Sequence, residues 1–393
     1  MTLNAWRIDW QALGVDFTIA DQNIETFNVK VCLICVELFS WGKYGGFGRS
    51  TRILGRELAA RGIQVAAVVP RRSGQLAVEN LDGIEVLGFP MHRPLAMLEL
   101  FRACNADVYH SQNTSLGTYL AQKACPDKCH VITFRDPKET HDWWLEIKNP
   151  SSSRLRTLLN WWYEDGVLVR RAVRNADALV STAQSVNSKL LRKYGFNAPL
   201  DVMPTPIALP DREVAKSKTP TACYVGRLDP RKRPQLFCEL ARSFPNVSFV
   251  VIGRSNNPKW ERELRKHYGA LTNLRFVGFV DQFNSRELWD WLDKSWIYVN
   301  TSTREGLPTA MLEAMAHGCA VLSCLNPDNL VTRFGAHVAD NHLCSGLSNL
   351  LANERWRSLG HDGRQYVLAE HSLPKSVEKH LSLYRRLVHE RNH

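Results

Sequence analysis

The stretch Val299–Ser323, VNTSTREGLPTAMLEAMAHGCAVLS, admits few folds. It reads as strand, polar loop, helix and strand, the make-up of an α/β layer. Leu312, Met315, Ala316 and Cys319 recur at helical spacing and predict one buried stripe. Gly318 closes that helix, and Pro308 suits its first turn, where the missing N–H is unpaired in any case. The N–H groups of Leu307, Thr309 and Ala310 then lie near the positive helix end, which suits an anion. Glu305 precedes that end and Glu313 falls in the second turn, about 7 Å of axial rise beyond Pro308. A phosphate on the helix tip leaves Glu313 within range of a ribose. Taken alone, the two glutamates also read as a solvated acidic pair, with Glu305 as a cap.

A second unit opens the chain. Val29–Leu38 is a continuous apolar run, the sign of a strand buried on both faces. Gly45, Gly46 and Gly48 follow, then a helix through Ala60 and a strand over Ile63–Val69. The glycines let the backbone approach a phosphate or sugar closely. A dinucleotide site is the rival reading. The spacing here is G-G-x-G-R-S, without the third glycine of the dinucleotide pattern, and the next strand ends in Pro70-Arg71-Arg72 with no ribose-binding acid. Two arginines there suit only a 2′-phosphate. Strand-like runs continue at Ile84–Phe89, Ala106–His110, His130–Phe134 and Ala176–Ser181. Asp211–Pro220 is polar and Pro-flanked, as a linker is. Beyond it the pattern restarts, with a strand over Ala222–Val225, the basic loop Gly226–Pro234, and strands at Val247–Ile252 and Leu274–Val280.

A chain of 393 residues makes two domains, each able to close its own core. No apolar run reaches spanning length and the start resembles no secretory signal, so a cytoplasmic place is expected. Ten cysteines then imply reduced thiols. Cys32 and Cys35 sit inside a strand, where residues three apart face opposite ways, and Cys125 and Cys129 lack a matching pair for zinc. A formal charge of +11 favours phosphates, nucleic acid or an acidic membrane face as partners. Lys138–Arg174 interleaves Trp143, Trp144, Trp161, Trp162 and Tyr163 with Arg154, Arg156, Arg170, Arg171 and Arg174. That mixture reads as core aromatics beside solvated arginines, or as a site for a lipid-linked or otherwise anionic acceptor, peripheral to an acidic membrane. No helix-turn-helix, zinc-finger or RNP pattern accompanies it, so no specific nucleic-acid binding is expected.

The pattern E-G-L-P-x-x-x-x-E-A-M-A-x-G resembles the E-x7-E signature of retaining nucleotide-sugar glycosyltransferases with the two-Rossmann GT-B fold, the large family 4-like (group 1) set. Three further motifs stand in family order. They are the G-G loop, Asp107-Val108-Tyr109-His110 (similar to D-V-V-H) and Gly226-Arg-Leu-Asp-Pro-Arg-Lys232 (similar to G-R-L-x-P-x-K). The resemblance implies an extension over 1–28, an acceptor domain over 29–215, a nucleotide-sugar domain over 216–371, and a helix over 372–393 crossing back to the first domain. It implies catalytic roles for Glu305, Arg227 and Lys232. It places the nucleotide sugar against Glu313, Gly45, Gly46, Gly253, Leu307, Pro308, Thr309 and Val280. His110, Arg135 and Asp136 become candidate sugar or acceptor contacts. Arg135 stands where the family reads a His that touches the donor sugar, and it suits a phosphate or carboxylate better than a hydroxyl. The other reading of Arg135 is a surface side chain paired with Asp136 or Asp142. Neither a metal nor a cofactor is expected, the donor being the nucleotide sugar itself. A nucleotide-sugar epimerase or disaccharide phosphorylase on the same fold, and more remotely a non-enzymatic nucleic-acid binder, are the alternatives.

Overall fold

In the computed structural model, which describes residues 29–148 and 153–393, the apolar runs become the strands of two sheets. The expected extension over 1–28 lies outside the described residues. The first sheet holds β1 (Lys30–Ile34), β2 (Gln64–Pro70), β3 (Val78–Leu81), β4 (Ile84–Phe89), β5 (Val108–Ser111), β6 (Cys129–Phe134), β7 (Ala178–Ser181) and β8 (Asp201–Val202). Their spatial order is β3-β4-β2-β1-β5-β6-β7-β8, parallel except for the hairpin partner β3. The second sheet holds β9 (Thr221–Val225), β10 (Ser248–Ile252), β11 (Leu274–Gly278), β12 (Ile297–Asn300), β13 (Ala320–Ser323) and β14 (Gly335–His337). It is parallel, in the order β11-β10-β9-β12-β13-β14, the doubly wound arrangement.

Helices cover both faces of each sheet, which is why these strands read as unbroken apolar runs. Val31, Cys32 and Leu33 of β1 are fully buried, with alternate residues feeding two separate apolar layers. The run after Ile34 does not continue the strand. It turns out of the sheet, with Phe39 and Trp41 at φ 48° and 49°, and so brings the following glycines back over the strand end. β3 is an edge hairpin with β4 that the alternation of the sequence did not reveal.

The helix of the E-x7-E stretch spans Thr309–Ala316, with Pro308 as its cap residue rather than in its first turn. The predicted single stripe understates its burial. Met311, Leu312, Ala314, Met315 and Ala316 are all fully buried, because the helix is enclosed by sheet, by the helix Arg355–His371 and by the first domain. The final helix, Leu373–Asn392, returns to the first domain and packs Val377, Leu381, Tyr384 and Leu387 into its core. Cys129 Sγ lies 3.4 Å from the Leu387 carbonyl, and Arg391 donates to the Lys128 carbonyl at 2.6 Å.

Candidate active site

The carboxyl edges of the two sheets face each other, and the loops leaving β1, β5 and β6 meet those leaving β9, β10, β11 and β12. In open α/β sheets such edges hold ligands where the strand order reverses. Here the reversal points are β1/β5 and β9/β12.

Glu305 lies in the loop between β12 and the helix Thr309–Ala316. Lys232, in the short turn after β9, donates to its carboxylate, and Ser302 Oγ does so at 2.9 Å. Thr301 Oγ1 fixes that turn by donating to the Lys232 carbonyl at 2.8 Å. Arg227, 41% exposed, pairs with Asp229 at 3.2 Å. The neighbouring cations are spent elsewhere: Arg231 pairs with Glu146 of the first domain, and Arg233 with Asp340 and the Thr301 carbonyl. Gly306 is required for packing, since a Cβ there would overlap the Arg135 carbonyl oxygen of the opposite domain.

Glu313 is buried and faces Arg49, the residue after Gly48, at 2.6 Å. Burial pushes its carboxyl pKa up, and the Arg49 guanidinium opposes that shift. Arg49 also donates to Gln282 at 3.2 Å, and Ser50 Oγ lies 3.3 Å from Thr309 Oγ1. The glycine loop and the glutamate helix are therefore in direct contact. Gly45 and Gly46 sit at the start of the helix Gly46–Ala60, and the Gly48 N–H donates to Glu37 at 3.1 Å. Leu307, Pro308 and Thr309 are buried at this junction, and Pro308 caps without a side-chain hydrogen bond, leaving the first helical amides to a ligand. Gly253 adopts φ 138°, and a Cβ there would overlap the Gly226 carbonyl, so the ends of β9 and β10 can close up only on glycine. Val280 is core, offering the cleft only its backbone. Beside it the Phe279 ring lies 4.4 Å from that of Tyr44 of the first domain, tilted by 38°, with Arg254 over both rings.

Three expectations require correction. His110 does not line the cleft. It is fully buried, with Nδ1 2.6 Å from Tyr384 Oη and Nε2 2.7 Å from Thr133 Oγ1, and burial depresses its pKa well below the usual histidine range. Both ring nitrogens are consumed, Nδ1 in tying β5 to the final helix and Nε2 in tying it to β6. Arg135 is not a surface side chain paired with Asp136 or Asp142. Those carboxylates are held by Arg304 at 2.9 and 3.2 Å, while the Arg135 guanidinium turns inward to Gln112. Asp136 is thus engaged in an inter-domain pair, its pKa raised by burial against the pull of Arg304 and Lys189. Trp143 and Tyr163 divide from the three exposed tryptophans of their segment: Tyr163 packs on the first domain's core, and Trp143 is buried, donating to Asp165 at 3.2 Å beneath Lys138.

Arg49, Arg304 and Gln112 were not singled out from sequence. Arg49 and Arg304 adjoin Gly48 and Glu305, so adjacency to the motifs was the available signal. Gln112 carried none beyond its place two residues after the D-V-Y-H strand end. Among the described residues, no group of three or more His, Cys, Asp or Glu side chains is placed to share a metal ion.

Two facing Rossmann-like sheets with loops from both meeting along the cleft define the GT-B architecture. The chain belongs to the group 1 and family 4 glycosyltransferases: the model described as Glycosyltransferase Family 4 matches residues 44–209, and that described as Glycosyl transferases group 1 matches 208–328. A glycosyltransferase of Haemophilus influenzae, itself uncharacterised, is 23% identical over 221 residues, spanning 53% of this chain and 61% of that protein. Sucrose-phosphate synthase from Thermosynechococcus elongatus has the same fold at a TM-score of 0.71, with 19% identity over 92% of this chain and 99% of the other. The Anabaena protein HepE, solved with UDP and glucose, follows at 0.66, with 14% identity over 91% of this chain and 99% of the other. The pneumococcal O-GlcNAc transferase GtfA, solved with UDP and GlcNAc, superposes at 0.65, with 9% identity over 92% and 100%.

Proposed function

We propose that this enzyme moves a sugar from a nucleotide-diphosphate donor to a hydroxyl acceptor with retention of anomeric configuration and without a metal ion. The observation that carries the reading is the Lys232–Glu305 pair at the capless end of the helix Thr309–Ala316, with Arg227 at the mouth of the same cleft. As the glycosidic bond breaks, negative charge grows on the β-phosphate oxygens of the leaving diphosphate. Fixed cations and helix amides at that point stabilise the transition state more than the ground state. Lys232 passes from Glu305 to the diphosphate, and Glu305 is left beside the sugar. Glu313 takes the ribose hydroxyls, with Arg49 retained to balance its charge. The Phe279–Val280 backbone and the ends of β10 and β11 receive the base. That solved relatives bind UDP with sugars supports this assignment of the second domain.

The test is a thermal-shift and calorimetric panel of UDP, GDP, ADP and CMP. One nucleoside diphosphate should stabilise the chain strongly, by about 2.7 kcal/mol at a hundred times its Kd. Absence of binding by every member would refute the reading.

We further infer that the helices Arg154–Asp165 and Val167–Arg174 meet an acidic lipid surface. Leu155, Leu158, Leu159, Trp162, Val167 and Leu168 are exposed, two of them by 69% and 82%, beside Arg154, Arg170, Arg171 and Arg174. Apolar side chains that insert between lipid headgroups, flanked by arginines that pair with phosphates, fit such a surface. Arg156 of the same helix is close enough to Lys43 and Arg72 to repel both, which puts an acceptor held in the bilayer within reach of the cleft. No helix among the described residues is long and apolar enough to cross a membrane.

A further inference from the structure

The carboxyl ends of β5 and β6 carry a polar group with no internal purpose. Arg135 follows β6, is 5% exposed, and donates through Nε to the Gln112 carbonyl at 3.1 Å and through an Nη to Gln112 Oε1 at 2.6 Å. No Asp or Glu among the described residues pairs with it, although a buried guanidinium ordinarily demands a counter-charge. The residues beside it are equally unsatisfied. Ser111 Oγ, Gln112 Nε2 and Asn113 Oδ1 are buried with no hydrogen-bond partner among the described residues, and Gln112 is 3% exposed. The orphaned Gln112 amide donor beside an unpaired cation describes a site built for a ligand that accepts hydrogen bonds. The glutamate loop closes over it, since Gly306 packs on the Arg135 carbonyl.

Further cations lie along the same sheet edge, after β1 and β2. No carboxylate among the described residues lies within ion-pair range of Lys43. Burial, together with Arg227, Arg72 and Arg156, pulls its ammonium pKa down, with Glu37 acting the other way. Arg72 is held at the same strand edge by the Val36 carbonyl at 3.1 Å. Burial likewise lowers Arg135 to about 10, so it stays cationic at neutral pH.

We propose that the sugar seated at the ends of β5 and β6 bears an acid group, a carboxylate or phosphate, bound by the Arg135 guanidinium with Gln112 Nε2 as a second donor. A planar guanidinium with a neighbouring amide N–H matches the paired oxygens of such a group. A neutral sugar would leave the charge buried and unanswered. This rests on the glycosyl-transfer reading above and deepens it by naming the chemistry of one substrate.

The acid can belong to the acceptor or to the donor sugar, and two arms separate these. In the first, the full chain saturated with the nucleoside diphosphate it prefers is titrated with methyl glucuronide, glucose 6-phosphate and methyl glucoside. In the second, the ligand-free chain is titrated with the nucleotide-glucuronate and nucleotide-glucose of that same base. In the parent protein the acidic ligand should bind about tenfold or more tighter than the neutral one in one arm. Arg135→Gln should erase that preference and Arg135→Lys should keep part of it, with affinity for the nucleoside diphosphate unchanged. Equal binding of acidic and neutral ligands in both arms overturns the proposal on the parent protein alone, as does a preference that survives in Arg135→Gln. Failure of every nucleoside diphosphate to bind would instead refute the underlying transfer reaction.

Discussion

Arg49 of the first domain reaches Glu313 of the second across the cleft, 2.6 Å from guanidinium nitrogen to carboxylate oxygen, each side chain 9% exposed. The pair is within ion-pair distance, yet Arg49 Nε and Glu313 Oε2 make no aligned hydrogen bond. The contact therefore neutralises charge while leaving the carboxylate able to accept from a hydroxyl. A buried pair of this kind adds little net stability, whereas losing one partner strands a charge.

Arg49→Met should cost about 3–5 kcal/mol in urea unfolding, the scale for removing one partner of a buried pair. The double variant Arg49→Met/Glu313→Gln should recover most of that loss. A double variant as unstable as the sum of the single ones would mean that the two side chains are not coupled. Independently, Glu313→Ala should weaken nucleoside diphosphate binding by about 1.5–3 kcal/mol. Unchanged calorimetric affinity would remove Glu313 from the ribose site.

Arg227→Ala and Lys232→Ala should lower the rate at saturating donor by about 10²–10³-fold, with smaller changes in donor affinity. This follows because the charge they answer is developed fully only as the diphosphate leaves. If both merely steer anions, donor capture becomes salt-sensitive while turnover stays within a few-fold of the parent.

Acid should destabilise the anchoring of the final helix. Burial lowers both His371 and His380 to about 4, against about 6.5 in an unfolded chain. Below that unfolded value the unfolded chain takes up protons that the fold refuses. The stability each neutral histidine contributes is therefore complete above pH ~6.5 and is lost as pH falls toward ~4, up to about 3 kcal/mol per group. Unfolding midpoints measured between pH 7.5 and 4.5 should fall, and His380→Gln should flatten the profile. Identical slopes for parent and variant would show that His380 does not drive the effect.

The lipid-facing reading predicts that the chain sediments with phosphatidylglycerol vesicles and much less with phosphatidylcholine, and that salt releases part of it. Leu159→Glu combined with Trp162→Glu should abolish sedimentation without lowering Tm, since these side chains are 57% and 49% exposed. Equal recovery with both lipids would return the segment to ordinary surface.

What the sequence determined by itself was everything governed by local pattern. Apolar runs bounded by glycine and proline specified parallel strands, and the order of loops along the chain specified which strand end each motif leaves. That sufficed for the α/β class and two domains, while the resemblance of the motifs implied the roles of Lys232 and Glu305. The structure brings these two together because their loops leave neighbouring strands β9 and β12 at the same edge. Tertiary structure decided which side chains meet across the cleft. Nothing local marks Arg49 as the partner of Glu313, 264 residues away by their numbers, or Tyr44 as the neighbour of Phe279. Burial also reversed local readings: His110 ends a strand whose edge faces the cleft, but the returning final helix covers it with Tyr384. Arg135 adjoins Asp136 in sequence, yet its side chain turns inward to Gln112 and leaves Asp136 and Asp142 to Arg304. Long-range charge pairing depends on how two domains close, and that is set by the sum of their packing rather than by any motif.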